Sequence, residues 1–224
     1  MPIPESAVLF DVDGTLVDSN YQHVSAWVRA FVEVGHPVPA WRIHQALGMD
    51  SSRLLEELLG DDADELGDRA KELHARHYKD SADQLRPLPG ARELLRALHE
   101  EGKTIVLATS AAADELEILR GVLDADDYVD AATNADDVET AKPEPDILQV
   151  ALERAGVEAS DAVMVGDARW DMVAAGRSGI RGIAVRSGGV DREALVEAGA
   201  TETHDDAAAL LSALGLATRG ASAP

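Results

Sequence analysis

Two aspartates, two positions apart, follow four apolar residues near the start of the chain: Ala7-Val8-Leu9-Phe10-Asp11-Val12-Asp13-Gly14-Thr15. Paired carboxylates in such a place suit metal binding, nucleophilic attack or proton transfer. Three later segments offer matching chemistry. Thr109 and Ser110 close the apolar run Ile105-Val106-Leu107-Ala108. Hydroxyls there, with backbone N–H groups, can bind an anion. Lys142 precedes Pro143, which holds it in an extended, presented conformation. It is one of only four lysines, with Lys71, Lys79 and Lys103. Finally Val163-Met164-Val165-Gly166-Asp167 ends in an acid, and Asp171 follows four residues later. Gly166 lets the backbone approach closely.

Each segment has a plainer reading. Asp-Gly is common in turns. Thr109 or Ser110 can cap a helix, and Asp167 can be an N-cap acid. A lone lysine is usually solvated. These readings do not explain an aspartate set directly against four apolar residues.

The elements that must position these residues are legible in outline. Short apolar runs at Ala7–Phe10, 104–108, 162–165 and 180–185 predict buried parallel strands, and 128–132 is a weaker one. Helical patterns at 91–101, 114–123 and 146–155 separate them. This alternation predicts a doubly wound, Rossmann-like α/β sheet. Ligands of such sheets bind beyond the carboxyl ends of the strands, where all four segments would fall. Between residues 19 and 85 no strand is evident. Helical stretches at 21–34, 41–47, 52–59 and 64–78 predict an all-helical insertion. We expect a core of residues 1–16 and 87–216, a helical unit of 17–86, and a disordered tail of 217–224.

Convergence of Asp11, Asp13, Asp167 and Asp171 would demand compensation, because close carboxylates cannot all stay ionised alone. A hard divalent cation and Lys142 would provide it. With carboxylate donors and no cysteine, Mg²⁺ is the natural ion. Mg²⁺, a lysine and a hydroxyl in an anion-binding loop suit a phosphoryl group, which Asp11 can attack directly.

Composition narrows the classes further. The 224 residues carry 42 acids against 20 Lys and Arg, a net charge of −22. That argues against nucleic acid and anionic membranes as partners. Zero Cys excludes disulfides, thiol catalysis and Cys-based metal centres. No apolar run is long enough to span a membrane. Residues 1–6 have no signal-peptide character, so a cytoplasmic location is expected. The sequence leaves monomer and homodimer equally open.

The four segments, in this order, resemble those of the haloacid dehalogenase superfamily and its phosphatase branch. The motifs are DVDGT at 11–15, Thr109, Lys142 in KPEPD, and GDARWD ending at Asp171. The helical insertion matches that family's cap. The resemblance implies Asp11 as nucleophile and Mg²⁺ ligand, and Asp13 as general acid/base with its main-chain carbonyl on the metal. It implies Asp167 as a metal ligand, with Asp171 assisting from behind. Gly14, Thr109, Ser110 and Lys142 would hold phosphate. The dehalogenase branch is disfavoured, because it typically lacks an acid at the position of Asp13.

For substrate, attention falls on the insertion. His23 and Trp27 lie four apart on one helix face. His23, Ala26 and Trp27 are similar to a pattern in beta-phosphoglucomutase-like members. Trp27 packing in the helical core is the plainer reading. Arg42 and Arg53 are candidate cations for a second phosphate, or ordinary surface charges. His74 and His77 have a metal-like spacing, but a solvated helix face is expected. For Trp170, packing is the safer reading. The expected function is Mg²⁺-dependent hydrolysis of a small phosphorylated metabolite, such as phosphoglycolate or a sugar phosphate. The alternatives are a sugar phosphomutase and a non-catalytic phospholigand-binding protein.

Overall fold

The computed structural model describes residues 3–138 and 142–216; the tail expectation for 217–224 lies outside them. In chain order the elements are β1 (Ala7–Phe10), β2 (Val17–Asp18), α1 (Asn20–Glu33), α2 (Ala40–Ala46), α3 (Ser51–Leu59) and α4 (Ala63–Asp80). Next come β3 (Arg86–Pro87), α5 (Ala91–Glu100), β4 (Thr104–Ala108), α6 (Ala113–Leu123), β5 (Ala131–Thr133) and α7 (Asp146–Ala155). The chain then forms β6 (Ala162–Gly166), α8 (Arg169–Arg177), β7 (Arg181–Val185), α9 (Arg192–Glu197), β8 (Ala200–His204) and α10 (Ala207–Ala213).

Six strands make a parallel sheet in the order β5-β4-β1-β6-β7-β8. Every residue of β1 is buried, because helices cover both faces of the sheet. Val8 and Phe10 face Leu94, Leu95 and Leu98 of α5. Ala7 and Leu9 face Ile147, Leu148 and Ala151 of α7 and Ala174 and Ala175 of α8. This two-sided burial is why the sequence of β1 reads as a continuous apolar run rather than an alternating one. From β1 the chain steps outward through β4 and β5, then returns to β6 on the other side. The reversal leaves a crevice beyond the carboxyl end of β1.

The inserted helices α1–α4 share an apolar core of their own. Trp27 and Phe31 of α1 meet Leu54, Leu55, Leu58 and Leu59 of α3 and Ala70 and Leu73 of α4. The Asp50 carboxylate starts α3 by accepting from the N–H groups of Ser52 (2.8 Å) and Arg53 (3.2 Å). A two-residue antiparallel ribbon, Val17 opposite Pro87 and Asp18 opposite Arg86, brings together the points where the chain leaves and rejoins the sheet.

Two details differ from the sequence reading. The strand expected at 128–132 is Ala131–Thr133, preceded by a 3₁₀ turn at Asp126–Tyr128. The edge strand β8 was not anticipated. Its residues after Ala200 are Thr, Glu, Thr and His, none of them fully buried, so it carries no apolar signal.

Candidate active site

The carboxyl ends of β1, β4 and β6 deliver Asp11, Thr109 and Asp167 to one place, and Lys142 arrives on the connection between β5 and α7. Carboxylate oxygens of Asp11, Asp167 and Asp171 lie within 4.8 Å of one another, all buried. Lys142 Nζ sits 2.5 Å from Asp11 Oδ1 and 2.8 Å from Asp171 Oδ1. Lys142 is 0% exposed. Taking its ammonium out of water costs several kcal/mol, and the two carboxylates offset that cost. Burial pulls the lysine's pKa down, but the charges of Asp11 and Asp171 override it and leave it raised. Burial raises the carboxyl of Asp11, with Lys142 opposing.

Asp167 has less compensation. Its oxygens accept from Thr15 Oγ1 (3.1 Å) and Asn20 Nδ2 (2.9 Å), both neutral. Burial and the charges of Asp11 and Asp171 hold its pKa well above the usual carboxylate range. A set of buried carboxylate oxygens with too little positive charge is what a hard divalent cation requires. The residues therefore fit such an ion. Asp171 is engaged by Lys142 and by the N–H of Ala168 (2.9 Å).

Glycines make this density possible. Gly14 has φ 71°, and a Cβ there would overlap Asn20 and Asp167. A Cβ at Gly188 would overlap the Asp167 carboxylate.

Asp13 turns away from the cluster. Its Oδ1 accepts from Ser19 Oγ (2.5 Å) and faces His23 Nε2 (3.2 Å). Ser19 occupies the N-cap position of α1 but gives its hydroxyl to Asp13 instead of to the helix. Burial raises the pKa of Asp13, but His23 and Ser19 outweigh it and leave it lowered. His23 Nδ1 lies 3.0 Å from His74 Nε2, and Tyr78 stacks on the His23 ring at 4.0 Å.

The other expected residues divide. Thr109 is buried, and its Oγ1 accepts from the N–H of Ala111 (3.1 Å). Ser110 Oγ is buried without a partner among the described residues. Neither caps α6, whose N-cap is Ala112. Trp27 packs in the helical core, stacks on His74 at 4.1 Å, and lines the cleft above Asp11 and Asp13. Arg53 donates to Glu144 (2.7 Å) and Arg42 to the Glu57 carbonyl (3.1 Å); neither lines the cleft. His74 and His77 are buried, not on a solvated face: His74 belongs to the stack beneath Trp27, and His77 meets Glu33 at 2.6 Å. Trp170 Nε1 donates to the Gln45 carbonyl (3.3 Å), joining α8 to α2.

Sequence reasoning missed Ser19, Asn20 and Gly188. Ser19 and Asn20 follow the first motif closely and were legible as polar residues entering a helix. Gly188, in Ser187-Gly188-Gly189 after β7, was a glycine signal at a strand end.

This geometry has known counterparts. The model of a hydrolase family described as haloacid dehalogenase-like hydrolase matches residues 5–179. The chain belongs to that family, and within it is a phosphatase. A phosphorylated carbohydrates phosphatase of Thermotoga maritima is 32% identical over 198 residues, covering 87% of this chain and 91% of the relative. A phosphoglycolate phosphatase of Pseudomonas fluorescens is 29% identical over 188 residues, covering 81% and 69%. The crystal structure of a hydrolase from Pseudomonas syringae superposes with a TM-score of 0.89 at 36% identity, covering 94% of this chain and 98% of that one.

Proposed function

We propose that the chain hydrolyses a small phosphorylated metabolite, of the phosphoglycolate or sugar-phosphate kind, through an aspartyl-phosphate on Asp11 with Mg²⁺ bound. The observation that carries this reading is the placement of Asp11 between Lys142 and Asp167, with Asp13 alongside on the same loop. Asp11, Asp167 and the main-chain carbonyl of Asp13 would hold Mg²⁺, with Asp171 behind them. Bound there, the ion would neutralise the carboxylates and polarise a phosphoryl oxygen.

The chain's own residues then account for the chemistry. Gly14, Thr109, Ser110 and Lys142 hold phosphate oxygens. A carboxylate oxygen of Asp11 attacks phosphorus, and the ester P–O bond breaks. Asp13 gives a proton to the departing alcohol oxygen. The phosphate's own negative charge, arriving beside Asp13, favours the protonated form that this needs. Asp13, now a carboxylate, takes a proton from water. The water oxygen attacks the same phosphorus, releasing inorganic phosphate and restoring Asp11.

The helical unit, which we take as residues 17–86, closes over this site as a cap. A phosphomutase would need cations there for a second phosphate, and Arg42 and Arg53 are engaged elsewhere. Release of phosphate from p-nitrophenyl phosphate, lost on chelation and in Asp11→Asn, tests the reading. Turnover unaffected by Asp11→Asn would sink it.

A further inference from the structure

The cleft over Asp11 and Asp13, about 170 Å³ in all, extends from the phosphate end into a chamber between the helical unit and the loops after β4 and β5. One wall is apolar, built by Leu47, Met49, Leu54 and Ala75. The opposite wall carries three carboxylates: Asp114, Glu115 and Asp136. Lys79 neutralises Asp114 at 2.5 Å. That leaves on this wall Glu115, which His74 Nδ1 approaches to 3.8 Å, and Asp136. Among the described residues, Lys71 is the one Lys or Arg side chain that lines the chamber. Ser51 adds a hydroxyl to the lining.

We infer that the chamber selects phosphate monoesters whose alcohol is neutral and hydroxylated, and disfavours those whose alcohol carries a second anion. This rests on the phosphatase reading and narrows it to the sugar- or polyol-phosphate side. The physical reason is the balance of charge. A buried anion must find a compensating cation, and a single lysine opposed by two carboxylates does not supply one. Hydroxyl groups meet the same wall favourably, because carboxylates accept their hydrogen bonds. The apolar wall takes the C–H face of the same molecule. Rejection therefore comes from repulsion as much as selection comes from contact. Asp136 is the specificity-determining residue most open to test, since it is exposed and lies in a one-turn 3₁₀ segment.

The test uses pairs of esters that differ only by CH₂OH against carboxylate. They are 2-hydroxyethyl phosphate with phosphoglycolate, and glucitol 6-phosphate with 6-phosphogluconate. With the full chain and Mg²⁺, kcat/KM should favour the neutral member of each pair by about tenfold or more. In Asp136→Lys the ratio should shrink several-fold in both pairs. Calorimetric Kd values for the same four esters on Asp11→Asn should show the same order. If the chain turns over none of the esters, nor p-nitrophenyl phosphate, yet binds the neutral members more tightly, the selectivity stands and the phosphatase reading falls. Equal treatment of the two members, or preference for the carboxylates, overturns the inference.

Discussion

Lys142 Nζ stands 2.5 Å from Asp11 Oδ1, an ion pair between fully buried and nearly buried side chains 131 residues apart in sequence. Its value lies in the mutual need of the two charges. Lys142→Met would leave Asp11 and Asp171 buried without their cation, at a cost of about 3–5 kcal/mol by urea unfolding without Mg²⁺. In a double-mutant cycle, adding Asp11→Asn should recover part of that loss. Strict additivity of the two substitutions would show that the pair does not interact.

The hydrogen bond between His23 and Asp13 leads to a different prediction. His23→Gln keeps a donor but removes the imidazole wedged between Asp13, His74 and Tyr78. Asp13 then loses its fixed orientation, while the phosphate-holding residues are untouched. We expect kcat to fall about 10–100-fold with KM within about threefold of wild type, as for a misplaced acid/base. A change confined to KM would place His23 in substrate binding instead.

Much of this was legible in sequence, and for a physical reason. Asp11, Thr109 and Asp167 each follow a strand buried on both faces, so an uninterrupted apolar run announces each one. Lys142 follows a short strand, Ala131–Thr133, that gives a weak run, and only its scarcity and the following proline marked it. His74 was misjudged as solvated because α4 is rich in charge. Its burial depends on the Trp27 ring from α1, a contact between helices that periodicity within one helix does not report. Arg53 has two readings in sequence, a ligand for a second phosphate or an ordinary surface charge, and it is a surface charge in an ion pair. Its partner Glu144 lies 91 residues away, and nothing local in the sequence pairs them.

That Arg53–Glu144 contact joins α3 to the loop bearing Lys142, and Glu144 also meets Arg177 of α8 at 3.0 Å. The backbone N–H of Asp50 donates to the Lys142 carbonyl nearby (3.1 Å). Arg53→Ala should therefore loosen closure rather than the fold. We expect KM to rise a few-fold while stability changes by less than about 1 kcal/mol, the usual range for an exposed pair. Loss of most stability, or an unchanged KM, would contradict this.

Acid sensitivity should arise partly at the base of the sheet, far from the site. Glu5 accepts two bonds from Arg181, at 2.7 and 2.9 Å, and Arg181 also meets Glu202 at 3.0 Å. The Arg181 hydrogen bond is the main cause of a lowered Glu5 pKa. A lowered carboxylate contributes stability that is present above its ordinary value of 4.5 and lost as pH falls through the lower folded value. Glu5→Gln should cost under about 1 kcal/mol at neutral pH. The difference from wild type should vanish on acidification below the usual carboxylate range. A deficit that persists in acid would point to packing rather than charge.

The central claim, that Asp11 carries the phosphoryl group, is tested most directly by acid-quenching a single turnover of labelled p-nitrophenyl phosphate with Mg²⁺ and mapping the label by peptide mass spectrometry. The label should sit on the peptide containing Asp11, appear before free phosphate is complete, and be absent from Asp11→Asn. Full hydrolysis by Asp11→Asn, or label on any other residue, would contradict the mechanism.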